Sequence, residues 1–206
     1  MLITAVEPRR KGLSSLYIDG EEAFRLDSEV LLAFRFDVGR EITDEQLKEV
    51  KDASDSKRCK DKAMWLLSFR DHSRRELFDK LRRDYPADTA QKAVQRCEEL
   101  GLIDDARFAR RYSADLFNLK HLSRKGVRQK LKEKGIDQDV IEEVLDEYDV
   151  DEDEQIRAIL SRMSMRSFSD EKQLRRIYAK LIRMGYSYAA VRSALDEYTD
   201  TEESYE

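Results

Sequence analysis

The residues that could do chemistry in this chain are few. Asp104-Asp105 is the carboxylate pair best placed for metal-assisted hydrolysis, since acids converging with others can hold Mg²⁺. Both follow Gly101-Leu102-Ile103 and precede a helical stretch. A helix N-cap, with a second acid at the positive end of the helix dipole, accounts for the pair. Cys59 and Cys97 are the only cysteines, and His72 and His121 the only histidines. No CxxC or HxxxH spacing joins them, so the cysteines read as small core hydrophobes. Two lone thiols also suit a reducing compartment. There is no GxxxxGK[ST] loop to cradle phosphate and no GxSxG turn to present a nucleophile. The sequence therefore points away from an enzyme and implies no cofactor and no metal.

Charge is the other chemical resource, and it is segregated. The net charge is −5 and the isoelectric point about 5.4, which alone argues against nucleic acid. Yet residues 106–134 carry ten Lys/Arg against Asp115 and Glu133. Residues 137–154 carry eleven acids and no base. Residues 155–185 return to eight bases against two acids. The candidate binding residues are Arg74, Arg75, Lys80, Arg82 and Arg83, then Arg124, Lys125, Arg128, Lys130 and Lys132, then Arg175, Arg176 and Lys180. The plain alternative is a set of solvated helix faces, neutralised by i,i+4 acids at ~0.3–0.5 kcal/mol per pair. A repeated cationic face would meet phosphate or a carboxylate-rich protein surface. Phosphate contacts bring affinity without sequence information and weaken with salt. The intervening acidic segments oppose sliding on bare DNA and suit a nucleoprotein target.

Helices must position these charges. Charged residues make up 40% of the 206, while Gly occurs 7 times and Pro twice. That balance favours helix. An offset of 50 residues relates Leu77 to Val127 and Ile177, Leu81 to Leu131 and Leu181, and Val94 to Val144 and Ala194. The same offset relates Arg75 to Lys125 and Arg175, and Lys80 to Lys130 and Lys180. A fixed period of this kind marks a repeat array. The expected fold is mainly α, a tandem array of three three-helix repeats behind a small β-hairpin and helical lead-in. The expected spans are 1–56 for the lead-in, 57–102, 103–150 and 151–200 for the repeats, and 201–206 for an acidic tail.

Local signals set the element boundaries. Asp19-Gly20 lies between two β-prone runs and predicts a type I′ hairpin, with Ile3 to Val6 as a third strand. Ser28 is the expected cap of a short helix over 29–34. Thr43 to Gln46 is a capping box for another to about Lys51. A separate helix is expected from Lys57 to Arg70, and a second from the Ser73–Glu76 capping box to near Tyr85. Asp88 is the expected cap of a third, which closes at Gly101. Thr199 to Glu206 has no apolar period and is expected to fray. The start of the chain lacks the apolar core of a secretory signal, and no apolar run approaches the ~20 residues of a membrane span. The expected setting is the cytoplasm, with no membrane contact.

The pattern Ala63-xx-Leu66-Leu67-xx-Arg70-xx-Ser73-xx-Glu76-Leu77-xxx-Leu81, then Gly101-Leu102-Ile103-Asp104-Asp105-xx-Phe108-Ala109, then Lys134-Gly135-Ile136, resembles the RecX family of RecA regulators. The resemblance spans essentially the whole chain, with two departures: Tyr85 stands where the later repeats carry Gly135 and Gly185, and the isoelectric point of about 5.4 is low for a protein that touches DNA. The resemblance implies a protein that binds in the groove of the RecA nucleoprotein filament; a monomer is expected. There it would limit extension or promote disassembly, damping recombination and the SOS response. Contact with single-stranded or duplex DNA would then be weak or made through RecA. A direct DNA-binding helical module and a helical scaffold for another protein are the alternatives.

Overall fold

The computed structural model describes residues 1–163, 168 and 170–203, with side chains to residue 197. Its chain divides into two compact units, Met1–Ile103 and Asp104–Glu206. The protein is mostly helical, with a small three-stranded antiparallel sheet at its N-terminus and ten α-helices among the described residues.

The first unit opens with strands β1 (Ile3–Pro8), β2 (Leu13–Ile18) and β3 (Glu21–Asp27) in that order. Asp19 and Gly20 turn the β2–β3 hairpin at φ of 52° and 93°. A type I′ turn requires both to be positive, and Asp and Gly tolerate that better than most residues. Helix α1 spans Ser28–Ala33. Its cap is Asp27 rather than Ser28: the Asp27 carboxylate accepts from the amides of Glu29 and Val30, while the Ser28 hydroxyl bonds that of Ser14.

Helix α2 runs without a break from Asp44 to Phe69, behind the Thr43–Gln46 capping box. Two helices with a boundary near residue 56 were expected here. The Asp52-Ala53-Ser54-Asp55-Ser56 stretch looks like a linker by composition, but it holds no Gly or Pro to stop a helix. Ser54 turns inward instead and accepts from the Asp27 amide at 2.9 Å. Val50 on α2 joins Ile3, Leu16, Leu26 and Leu31 in one core, while Cys59 and Ala63 join the next. That second core is completed by α3 (Arg74–Leu81) and α4 (Ala87–Glu99). Ser73 caps α3 by accepting from the Glu76 amide. α3 ends at Leu81, four residues before Tyr85. The N-cap of α4 is Pro86, with no side-chain hydrogen bond; Asp88 lies inside the first turn, where it can act only on the dipole.

The second unit holds α5 (Asp105–Asn118), α6 (Arg124–Glu133) and α7 (Gln138–Asp146) around Phe108, Leu116, Phe117 and Leu131. It also holds α8 (Glu152–Leu160), α9 (Glu171–Arg183) and α10 (Tyr188–Glu203) around Ile156, Leu160, Phe168 and Leu181. Every position related by the 50-residue offset in the apolar series is buried, from Leu77, Val127 and Ile177 to Val94, Val144 and Ala194. α9 departs from the period, because Asp170 caps it three residues earlier than the Ser73 and Ser123 caps would place it. α10 continues through Glu203 where fraying from Thr199 was expected, since that segment contains no helix breaker. Residues 204–206 of the expected tail lie outside the described residues.

Backbone locks α6 against the end of α9. The Ser123 amide donates to the Met184 carbonyl at 3.1 Å. The buried Tyr186 hydroxyl lies 2.7 Å from the carbonyl oxygen of His121 and 2.9 Å from Gln155 Oε1.

Candidate functional site

The cations singled out by their spacing sit on α3, α6 and α9, or at their ends, and each helix spends them differently. On α3, Arg75 faces Asp79 at 3.8 Å and Arg82 faces the same carboxylate at 3.3 Å. Arg74 reaches Glu98 at 3.5 Å. Arg83 is exposed and Lys80 half-buried. These are exposed ion pairs worth ~0–1 kcal/mol, so an incoming anion can exchange for the acid at little cost.

On α6 the pairing is stronger, and it engages several of the acids of residues 137–154. Arg128 clamps Glu142 of α7 with two bonds of 3.0 and 2.8 Å. That fork holds the Glu142 carboxyl below its ordinary range and raises the guanidinium. Arg124 binds Asp146 and reaches the Tyr148 carbonyl, and its amide donates to Glu152. Arg110 on α5 bridges Glu143 and Glu147 at 2.6 and 2.8 Å. The acidic helix therefore serves as an internal counterion for one side of α5 and α6. Lys130 pairs with Glu133 at 2.7 Å within its own helix. Lys125 and Lys132 are exposed, with no carboxylate partner among the described residues.

On α9, Arg175 pairs with Glu171 at 2.5 Å in an exposed i,i+4 contact. Arg176 and Lys180 are exposed and have no such partner among the described residues. At about 100° per residue, Arg176, Lys180 and Arg183 fall on one face of this helix. Lys125, Arg128 and Lys132 do the same on α6 by the same geometry. The two helices share a cleft bordered by Lys125, Arg128, Lys130 and Lys132 from α6 and by Ile182 and Arg183 from α9. Arg175 stands apart from it, on the groove between α9 and α10 beside Tyr178 and Arg192. The second unit thus brings the α6 cations together with Arg183 and leaves Arg175 elsewhere. Arg183 was missed in the sequence because it follows the 50-residue offset to Glu133, an acid.

The other candidates are structural. Asp104 caps α5 by accepting from the Arg107 amide at 2.9 Å. Cys59 and Cys97 are buried free thiols, and burial pushes Cys59 up to about 11. No cluster of three metal-binding side chains exists among the described residues. Nor is any helix among them long and apolar enough to cross a membrane.

Comparison with known proteins follows the same lines. Sequence models of the first and second three-helix domains of RecX match residues 59–97 and 104–145. Regulatory protein RecX of Prosthecochloris aestuarii is 30% identical over 145 residues, covering 70% of this chain and 95% of that protein. The chain belongs to the RecX family. Regulatory protein RecX of Enterococcus faecalis extends the likeness to 94% of this chain and 74% of its own length, at 28% identity. A solved RecX crystal structure shares the fold, with a TM-score of 0.59, 22% identity and coverage of 95% of this chain and 98% of that one. RecX from Lactobacillus salivarius superposes on 71% of this chain and 98% of its own, with a TM-score of 0.55 and 26% identity. RecX relatives are regulatory proteins, and a regulatory role is the coarse function of this chain. The matched domains include α3 and α6, the helices that carry two of the three cationic sets.

Proposed function

We propose that this chain regulates RecA as a non-catalytic inhibitor. It binds in the groove of the RecA–DNA filament and limits extension or promotes disassembly, so that recombination and the SOS response are damped. The observation that carries the reading is the exposed set Lys125, Lys132, Arg176 and Lys180 on α6 and α9, which has no acid partner among the described residues. Each can meet phosphate or an acidic protein surface without first breaking an ion pair. Glu142, Glu143 and Asp146 of α7 are already engaged by Arg128, Arg110 and Arg124, so they do not draw on Lys125 and Lys132. A chain of net charge −5 with such local positive faces suits a protein–DNA filament better than bare duplex.

In this reading the chain works in the cytoplasm as a monomer of three three-helix repeats, 57–102, 103–150 and 151–200. Several weak contacts add through effective concentration, because each bound repeat holds the next near its site. DNA is touched weakly or through RecA.

The test is RecA-driven strand exchange in the presence of a Lys125→Glu/Lys132→Glu/Arg176→Glu variant. Inhibition should fall at least tenfold while helicity is unchanged. Adding Arg75→Glu and Lys130→Glu should deepen the loss. Undiminished inhibition would remove these faces from the interface. Tight, salt-sensitive binding to bare duplex without RecA would favour the direct DNA-binding module instead.

A further inference from the structure

The second unit contains a cleft unlike the one between α6 and α9. Its volume is about 650 Å³, and it opens between the C-terminal part of α5, the turn to α6, and the ends of α8 and α9. Its floor is aliphatic, with Leu116, Leu119, Leu122, Ile159, Met163 and Met184. Leu119 remains 70% exposed there, although it is a large hydrophobic side chain. The rim is formed by Lys120, Lys130, Arg162 and Lys180, and no carboxylate lines the cleft among the described residues. Lys120 and Lys180 have no acid partner among the described residues, while Lys130 holds Glu133 only through an exposed pair. Arg162 faces the His121 ring nitrogen at 3.1 Å and has no acid partner among the described residues.

We propose that this cleft is a docking site for an acidic amphipathic peptide segment of a protein partner. Charge complementarity selects the occupant: four cations, of which Lys130 alone has a carboxylate partner among the described residues, surround a greasy floor and call for carboxylates flanking apolar side chains. The floor itself argues for a peptide over a nucleic acid. Bases stack on aromatic rings, and Tyr112 is the only ring here besides His121 among the described residues. Leucine and methionine instead repack around aliphatic or aromatic side chains, which is how adaptable helix-binding grooves work. The volume lies within the ~300–1,000 Å³ of well-formed ligand clefts. Such a segment would enter with apolar residues at i, i+3, i+4 and i+7 and with Glu or Asp on its flanks. The inference stands apart from the filament reading. It shares Lys130 and Lys180 with the proposed cationic faces, but it depends on the apolar floor, which those faces do not use.

The test uses the full chain and a fluorescent model helix with Leu and Phe at those positions and Glu and Asp elsewhere. Two controls accompany it: a scrambled peptide of the same composition and a single-stranded oligothymidylate. Fluorescence anisotropy should show the amphipathic helix binding at least tenfold tighter than the scrambled one. Leu119→Asp changes a surface side chain, so folding should survive; it should weaken the amphipathic peptide about tenfold and leave oligothymidylate unchanged. Lys120→Glu/Lys180→Glu should weaken the peptide as well, with the loss growing at low salt. Equal binding of the amphipathic and scrambled peptides would overturn the proposal, since attraction would then be charge alone. So would an oligothymidylate that loses more affinity than the peptide on Leu119→Asp, which would make the cleft a nucleic-acid site.

Discussion

Replacing Gly126 by Ala tests how tightly the α6–α9 junction is packed. Two effects of opposite sign meet there. Ala is the better helix former, by up to ~1 kcal/mol in a helix interior. Against this, a methyl at residue 126 would lie 2.2 Å from the Met184 carbonyl oxygen and 3.1 Å from its carbon. A relaxed C···O contact is ~3.3–3.6 Å, so one backbone must retreat by roughly 1 Å. That carbonyl cannot move freely, because it accepts the Ser123 amide at 3.1 Å. On the other side, a Cβ on Gly185 would meet Ser123 Oγ and the Gly126 amide nitrogen at 2.5 Å, so neither strand of the junction has slack. Overpacking costs ~1–3 kcal/mol, and weakening the Ser123–Met184 bond adds about 1 kcal/mol. Subtracting the propensity gain leaves a net loss of roughly 1–3 kcal/mol. Urea unfolding followed by circular dichroism measures it, with the exposed Gln129→Ala as a helix control. A Gly126→Ala variant as stable as the parent, or more stable, would refute the packing argument.

Three further outcomes follow from other parts of the structure. Tyr186→Phe should cost roughly 1–3 kcal/mol in the same assay, because it removes the buried hydroxyl, whose single proton lies between the His121 carbonyl and Gln155 Oε1. Asp27→Ala removes the α1 cap and the partner held by Lys57 at 2.8 Å, and should cost roughly 2–3 kcal/mol. Burial pushes the Asp27 carboxyl up, but Lys57 and the amides of Val30 and Glu29 outweigh it and hold the group below its usual range. Its contribution is therefore complete above the unfolded carboxylate pKa and disappears as pH falls through the folded one. Asp27→Asn should accordingly flatten the acid limb of the stability curve, as thermal melts from pH 6 to pH 3 would show. Finally, Cys59 and Cys97 should react with a thiol-specific disulfide reagent far more slowly in the native protein at pH 8 than in denaturant, since both are buried and burial raises both thiols.

The helical class and the hairpin were legible because they rest on local rules. Asp19-Gly20 permits positive φ, Thr43–Gln46 and Ser73 name their helix starts, and the 50-residue spacing of Leu81, Leu131 and Leu181 reports a shared buried position. Boundaries governed by competition were less legible. Asp27 and Ser28 are comparable caps, and only the sheet edge and Lys57 choose between them. The α2 stretch around Ser54 has the composition of a linker, but a tertiary hydrogen bond from Asp27 lets it stay helical. The site was half legible for the same reason. Spacing finds cations, but not which of them α7 neutralises; Arg128 and Lys132 are alike in sequence, and only the fold places Glu142 against the first. The apolar cleft left no linear signal, since Leu119, Ile159 and Met184 come from three separate stretches.

The most direct test of RecA regulation is ATP hydrolysis by RecA on circular single-stranded DNA, titrated with this chain. Suppression should set in at well below one chain per RecA subunit, because a protein that stops filament extension or bridges several subunits acts on more than one at a time. Hydrolysis that stays unchanged, or falls only when the chain is added in amounts that saturate the DNA itself, would contradict the account.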